Sequence, residues 1–207
     1  MQLDHVLLAV ADLATGARQL AAEHGLEPYE GGRHPGWGTA NWIIPLGETY
    51  LELIAVVDED EARESAFGRR VAESSAGPAE SPLGWAVRPS DLGATAERLG
   101  LEITAGSRTM PSGEVVAWRM AGLDEAVSRP HLPFFLEWSD PTRFPGATAR
   151  PVASIERLEL ECEPDELADW LGKHSLPLHV RPGGGGITAV VLSGPRGTIT
   201  VGGQSVL

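Results

Sequence analysis

One order of signals occurs twice in this chain, and a chain so built must bury two similar sheets against each other or against helices. Leu3 to Val10 is an apolar run of strand length. Asp12-Leu13 then opens a helical pattern with Leu13, Ala17, Leu20 and Ala21 on one face, Asp12 as N-cap and Gly25 as stop. Gly31 to Gly38 is glycine-rich and reads as a loop or short strand. Ala40 to Pro45 and Thr49 to Val57 read as strands joined by a tight turn at Leu46-Gly47-Glu48. The order returns with a strand over Leu83 to Val87 and a helix opened by Ser90-Asp91-Leu92 and stopped by Gly100. Strands over Glu114 to Met120 and Leu132 to Trp138 follow. Asp12-Leu13 meets Asp91-Leu92 at a shift of 79 residues, and Tyr50-Leu51-Glu52-Leu53 meets Phe135-Leu136-Glu137-Trp138 at a shift of 85. A small loop insertion accounts for the difference. The expected class is α+β, built from repeated βαβββ modules.

A third occurrence is degenerate. Ile155 to Cys162 alternates, with Leu158, Leu160 and Cys162 on one face and Arg157, Glu159 and Glu161 on the other, as in a half-buried strand. Pro164 stands at a first helical position, Leu167, Trp170 and Leu171 form an inward stripe, and Gly172 ends it. Leu178 to Arg181, Ile187 to Leu192 and Thr198 to Val201 complete a strand-rich end, with Gly183 to Gly186 as a hairpin tip. A phosphate loop would need Lys-Ser/Thr and a helix after those glycines, and Ile187-Thr188 opens a strand instead. The chain thus divides into a first module over 1–57, a charged connector over 58–81, a second module over 82–140, a Pro-rich link over 141–151 and a degenerate third module over 152–207. In the connector, Ala62, Ala66 and Val71 mark a surface helix ending before Ser74. The third module either extends the sheet of its own chain or pairs with the same module of a second chain. Such a homodimer would remove an exposed edge strand, and deleting the residues after Pro151 would abolish it while leaving the pocket in place.

Composition narrows the partners. The 207 residues are 42% hydrophobic and 22% charged, an ordinary globular mixture able to bury a core without staples. The lone cysteine, Cys162, excludes a disulfide framework and a paired-cysteine zinc motif, and its inward place on a strand reads as packing. A net charge of −13 and a pI near 4.8 disfavour nucleic acid and an anionic membrane, which attract clustered Lys and Arg. No apolar run approaches the roughly 18 residues of a membrane span, and no basic region precedes the first strand. The expected setting is the cytoplasm, with a small molecule as partner.

Three residues carry the chemistry. Glu52 lies among Ile54 and Val56 on a strand face, where a carboxylate must be paired, hydrogen-bonded or metal-bound; otherwise it faces outward near the strand start. Glu137 occupies a related place at the last strand of the second module. His5, on the first strand, is a metal ligand or a satisfied core histidine. One imidazole and two carboxylates suit a divalent ion such as Mn, Fe, Ni or Zn with open positions for water and substrate. All three are expected within about 8 Å of one another in one cavity. His34, Trp37, Asn41 and Trp42 form either a pocket wall or a glycine-rich turn, in which Gly36 and Gly38 allow close backbone approach and Asn41 offers both donor and acceptor. His131 falls in a surface loop, and His24, His174 and His179 belong to no constellation.

The opening Leu3-Asp4-His5-Val6, the Tyr50-Leu51-Glu52-Leu53 strand and the Phe135-Leu136-Glu137-Trp138 strand resemble the vicinal oxygen chelate superfamily. Arg33-His34-Pro35-Gly36-Trp37-Gly38-Thr39-Ala40-Asn41-Trp42 resembles its glyoxalase-like branch. The resemblance covers Met1 to Asp140 and implies modules curled into a half-open concave sheet, with metal ligands on the first and last strands of each. By position these are His5, Glu52 and Glu137; the remaining ligand place falls at Gly84 or Trp85, neither of which coordinates a metal. In the enzymatic reading the ion polarises substrate oxygens and Glu52 or Glu137 doubles as general base, in a lyase, isomerase or dioxygenase reaction. In the rival reading a metal-free protein sequesters an apolar or aromatic compound between Trp37, Trp42 and Trp85. An interaction domain without a ligand would leave Glu52 exposed.

Overall fold

The computed structural model describes residues 1–76, 81–148, 151–194 and 197–202. Parts of both connectors and of the last expected module, including its final residues 203–207, lie outside the described residues. Eight strands form a barrel: β1 (Gln2–Ala9), β2 (Tyr29–His34), β3 (Thr39–Pro45), β4 (Tyr50–Val56), β5 (Ser81–Arg88), β6 (Ile103–Thr109), β7 (Val115–Ala121) and β8 (Phe134–Trp138). Their order is β1-β4-β3-β2-β6-β7-β8-β5. β1 runs parallel to β4, β5 runs parallel to β8, and β1 and β5 join the two halves antiparallel. The sheet is closed where a half-open one was expected, through the pairing of Arg33 on β2 with Thr109 on β6. Gly32 permits this, since a Cβ there would stand 2.4 Å from the Thr109 carbonyl oxygen.

Alternation along each strand sorts residues into two cores. Val6, Leu8, Leu51, Leu53, Trp85, Val87 and Phe135 face outward into a large buried cluster. Helices α1 (Leu13–His24) and α4 (Leu92–Leu99) cover that outer face with Ala17, Leu20, Leu92 and Ala96. Both helices start as their sequences direct: Asp12 accepts from the Thr15 N–H at 2.8 Å and Asp91 from the Ala94 N–H at 2.9 Å. Both end at a left-handed glycine, Gly25 and Gly100. Leu7, Ile43, Tyr50, Ile54, Trp118, Phe134, Leu136 and Trp138 face inward and make the second core.

The connector is two helices, α2 (Glu59–Glu64) and α3 (Ala66–Ser75), and α3 is no surface helix. Its Phe67 and Val71 join the inner core, with Phe67 against Trp37 at 4.9 Å between ring centroids. A short helix α5 (Leu123–Ser128) packs beside α3. From the Pro-rich link, Phe144 reaches back onto Tyr50 and Trp138.

The final unit is β9 (Ser154–Glu161), α6 (Pro164–Leu171), β10 (Leu178–Arg181), β11 (Gly186–Gly194) and β12 (Gly197–Gly202). Its strand order, β10-β9-β11-β12, differs from that of the barrel halves, because β9 lies between β10 and β11. Gly183 to Gly185 therefore cross from one side of β9 to the other and form no hairpin tip. The unit does not extend the barrel sheet: it packs against β5, and Leu158, Leu160, Cys162, Leu167 and Trp170 share the outer core with Trp85 and Phe135.

Candidate functional site

The inward faces of the strands enclose a cavity of about 30 Å³, lined by His5, His34, Asn41, Tyr50, Glu52 and Arg108 among aromatic and aliphatic side chains. That volume suits one or two waters, so the lining must give way for anything larger. Strand parity fixes the membership. On β1 His5 and Leu7 point in; on β3 Thr39, Asn41 and Ile43; on β4 Tyr50, Glu52 and Ile54.

A chain of polar contacts runs through this space. Asp4, fully buried, meets His5 Nδ1 at 2.6 Å, accepts from Trp138 Nε1 at 3.0 Å and pairs with Arg88 Nε at 2.9 Å. The other imidazole nitrogen, Nε2, stands 3.7 Å from Glu52 Oε2. Asn41 Nδ2 donates to Glu52 Oε1 at 2.9 Å, and its own Oδ1 accepts from the Gly32 N–H at 2.9 Å, which fixes the amide orientation. His34 Nε2 lies 3.9 Å from Glu52 Oε1, while its Nδ1 is 3.0 Å from Thr39 Oγ1. The Tyr50 ring stacks on His5 with centroids 4.6 Å apart. Burial pulls His34 down to about 4, with Arg108 and His5 adding to the effect against the Glu52 carboxylate, so this imidazole is neutral at neutral pH. Burial also raises the Tyr50 phenol well above its usual 10, so it stays protonated.

His5, His34, Trp37, Asn41 and Glu52 are brought together at the cavity. Glu137, Trp42 and Trp85 are not. Glu137 is exposed on the outer face of β8 and pairs with Arg119 at 2.5 Å, so it does not converge with His5 and Glu52. The reason is parity: β8 points Phe134, Leu136 and Trp138 inward, and aligning Glu137 with Glu52 is off by one residue, which reverses the face. Trp42 lies on the outer side of β3, half-buried against the outer core. Trp85 is fully buried outside the barrel, its Nε1 donating to the His131 carbonyl at 3.0 Å. His131 itself pairs with Glu166 of α6 at 2.8 Å, away from the cavity.

Three residues of the site were missed. Asp4 stands beside His5 in an otherwise apolar strand, and that adjacency was the available signal. Arg108 falls in Ile103-Thr104-Ala105-Gly106-Ser107-Arg108-Thr109, a strand with no apolar alternation to announce it. Trp118 lay in an expected strand without any neighbour that marked its face.

His5, His34 and Glu52 are the side chains that could donate to a divalent ion. The described residues nevertheless hold no group of three or more His, Cys, Asp or Glu placed as a metal site. Phe134 and Leu136 fill the inward face of the strand from which the second half would donate. The ligand set His5, Glu52 and Glu137 therefore does not fit an ion here.

An α+β barrel with a histidine–carboxylate site in its interior is an architecture of the glyoxalase type. The chain belongs to the glyoxalase-like domain family, whose model matches residues 3–175. A crystal structure of a hypothetical protein from Staphylococcus aureus is similar in fold, with 14% identity and a TM-score of 0.66 over 99% of this chain and 87% of that one. Methylmalonyl-CoA epimerase from Streptomyces coelicolor, in complex with 2-nitronate-propionyl-CoA, aligns at 18% identity and a TM-score of 0.45, covering 65% of this chain and 90% of that one. The Mycobacterium tuberculosis methylmalonyl-CoA epimerase aligns at 19% identity and 0.44, covering 66% and 85%. No curated protein matches the chain. Among the described residues no helix is long and apolar enough to cross a membrane.

Proposed function

We propose that this chain is an enzyme that moves a proton on a small molecule held inside the barrel, with Glu52 as the group that takes and returns it. The observation that carries this reading is the buried line Asp4–His5–Glu52, in which Asn41 holds one Glu52 oxygen and the other faces His5. A buried carboxylate held by one neutral donor keeps a free oxygen for a substrate proton. Asp4, already anchored by Arg88 and Trp138, orients His5 so that Nε2 points at that oxygen. Glu52 takes a proton from a carbon beside a carbonyl, and the C–H pair becomes the carbon–carbon double bond of an enolate as the carbonyl π pair moves onto oxygen. Return of a proton to the same carbon restores the carbonyl, inverting that centre when the proton arrives on the other face. In the tautomer in which the Thr39 hydroxyl donates to Nδ1, neutral His34 carries its proton on Nε2 and offers it to the enolate oxygen. The lining does not fit the family's ion, and no step is routed through one.

Binding without turnover is the second reading, favoured by the aromatic surfaces of Trp37, Trp118 and Trp138 around the polar line. Deuterium wash-in from D2O, followed by proton NMR on a panel of small carbonyl compounds, separates the two. The wild type should exchange hydrogen next to the carbonyl, and Glu52→Gln should lower the rate by about a hundredfold or more while binding persists. Binding with no exchange in the wild type would leave the sequestering role. Metal analysis of protein purified without chelator runs alongside: exchange that tracks bound ion and disappears in EDTA would overturn the metal-free step.

A further inference from the structure

Two arginines near the buried polar line, Arg88 and Arg108, are treated differently. Arg88 has Asp4 at 2.9 Å. Arg108 is 3% exposed, its Nε has no hydrogen-bond partner, and no carboxylate among the described residues lies within ion-pair distance of it. The indole N–H of Trp118, a residue 6% exposed, is likewise unpartnered. These two donors are neighbours. Gly106 and Arg108 share a face of β6, Gly106 is paired with Trp118 on β7, and a Cβ on Gly106 would fall 2.3 Å from Trp118 Nε1. The missing side chain at Gly106 is what lets the indole nitrogen lie over β6, one pleat along the strand from Arg108. Both residues line the cavity that contains Glu52.

A buried guanidinium cannot shed its proton, and an unpaired one is costly to keep, so its persistence calls for an acceptor that arrives with a ligand. We propose that Arg108 and Trp118 form a carboxylate subsite, and that the ligand of this barrel is a small planar monocarboxylate with an apolar or aromatic body. The inference rests on the reading that a small molecule occupies the cavity, and it adds which end goes where. Like-charge repulsion keeps the ligand carboxylate away from Glu52, so the anionic end sits at Arg108 and Trp118 and the uncharged reacting carbon faces Glu52. A guanidinium fork matches a planar carboxylate in both shape and charge, which an amide of the same outline does not.

The test is calorimetric titration and thermal unfolding of the full chain with acetate, pyruvate and benzoate, beside acetamide and benzamide. The carboxylates should bind and raise the melting temperature, and the amides should bind about tenfold more weakly or worse. Arg108→Met should lose carboxylate binding while its ligand-free melting temperature equals or exceeds that of the wild type, since an unpartnered buried charge has been removed. Trp118→Phe should weaken the carboxylates alone, and Arg108→Lys should retain part of their binding. Equal binding of amides and carboxylates, undiminished carboxylate binding in Arg108→Met, or no binding by any of the three carboxylates overturns the subsite. Carboxylate binding that depends on Arg108, with no deuterium exchange dependent on Glu52, would instead remove the proton-transfer reading and leave the subsite standing.

Discussion

At the scale of single residues, the polar line works because every member is held by another, and His34 shows what burial costs. Its folded value of about 4 lies below the ordinary 6.5, so between those two pH values the unfolded chain binds the extra proton and the folded one does not. Stability from this group is fully present above 6.5 and is lost as pH falls toward 4, by about 3 kcal/mol in total. His34→Gln removes that dependence. Urea unfolding at pH 7, 5.5 and 4.5 should show the variant's curve flatter than the wild type's, and parallel curves would contradict the assignment. Glu52 and His5 were legible in the sequence because a charge on an apolar strand demands an explanation. Glu137 looked equivalent and is not: one residue of register separates a cavity carboxylate from a surface partner of Arg119.

Elements were legible where local rules decide them and illegible where the cavity does. Asp12 with Gly25 and Asp91 with Gly100 mark both outer helices from sequence alone. β6 carried no such mark, since its inward positions are Gly106 and Arg108, chosen for what they face in the cavity. The connector read as a surface helix because Ala62, Ala66 and Val71 are a thin stripe, yet Phe67 and Val71 of α3 join the inner core. The seam between β2 and β6 depends on an absent side chain, and this predicts a sharp local effect. Gly32→Ala places a methyl against the Thr109 carbonyl and disturbs the N–H that fixes Asn41, and with it Glu52. We expect a loss of about 1–3 kcal/mol in denaturant unfolding, the range of an overpacked site. Amide hydrogen exchange should rise in β2 and β6 first. Uniform exchange across the barrel with unchanged stability would mean that the seam bears no load.

At the scale of the molecule, the final unit, expected either to extend the sheet of its own chain or to pair with a second chain, is a separate sheet packed on the outer side of the barrel. Its apolar face is covered by the chain's own outer core, so no second chain is needed to bury it. Trp170 on α6 donates to the Pro133 carbonyl at 2.8 Å and lies 5.7 Å from the Phe135 ring. Arg98 of α4 caps the end of α6 through the Asp169 and Trp170 carbonyls at 2.8 and 2.7 Å, and Arg129 and His131 both hold Glu166. These contacts bear on the outer side of β5 and β8, and the inner side of β8 is Phe134, Leu136 and Trp138 of the cavity. Two faces of one strand cannot be loosened independently. Trp170→Ala should therefore cost about 3–5 kcal/mol, the usual penalty for emptying a buried aromatic site. It should also weaken any ligand bound between Arg108 and Glu52, although Trp170 does not line that cavity. Deleting the residues after Pro151 should go further, exposing Trp85, Leu132 and Phe135 and leaving a chain without native near-ultraviolet circular dichroism. A truncated chain that keeps that spectrum and unfolds cooperatively would show that the eight-stranded barrel stands alone, and the coupling between outer wall and inner site would then be wrong.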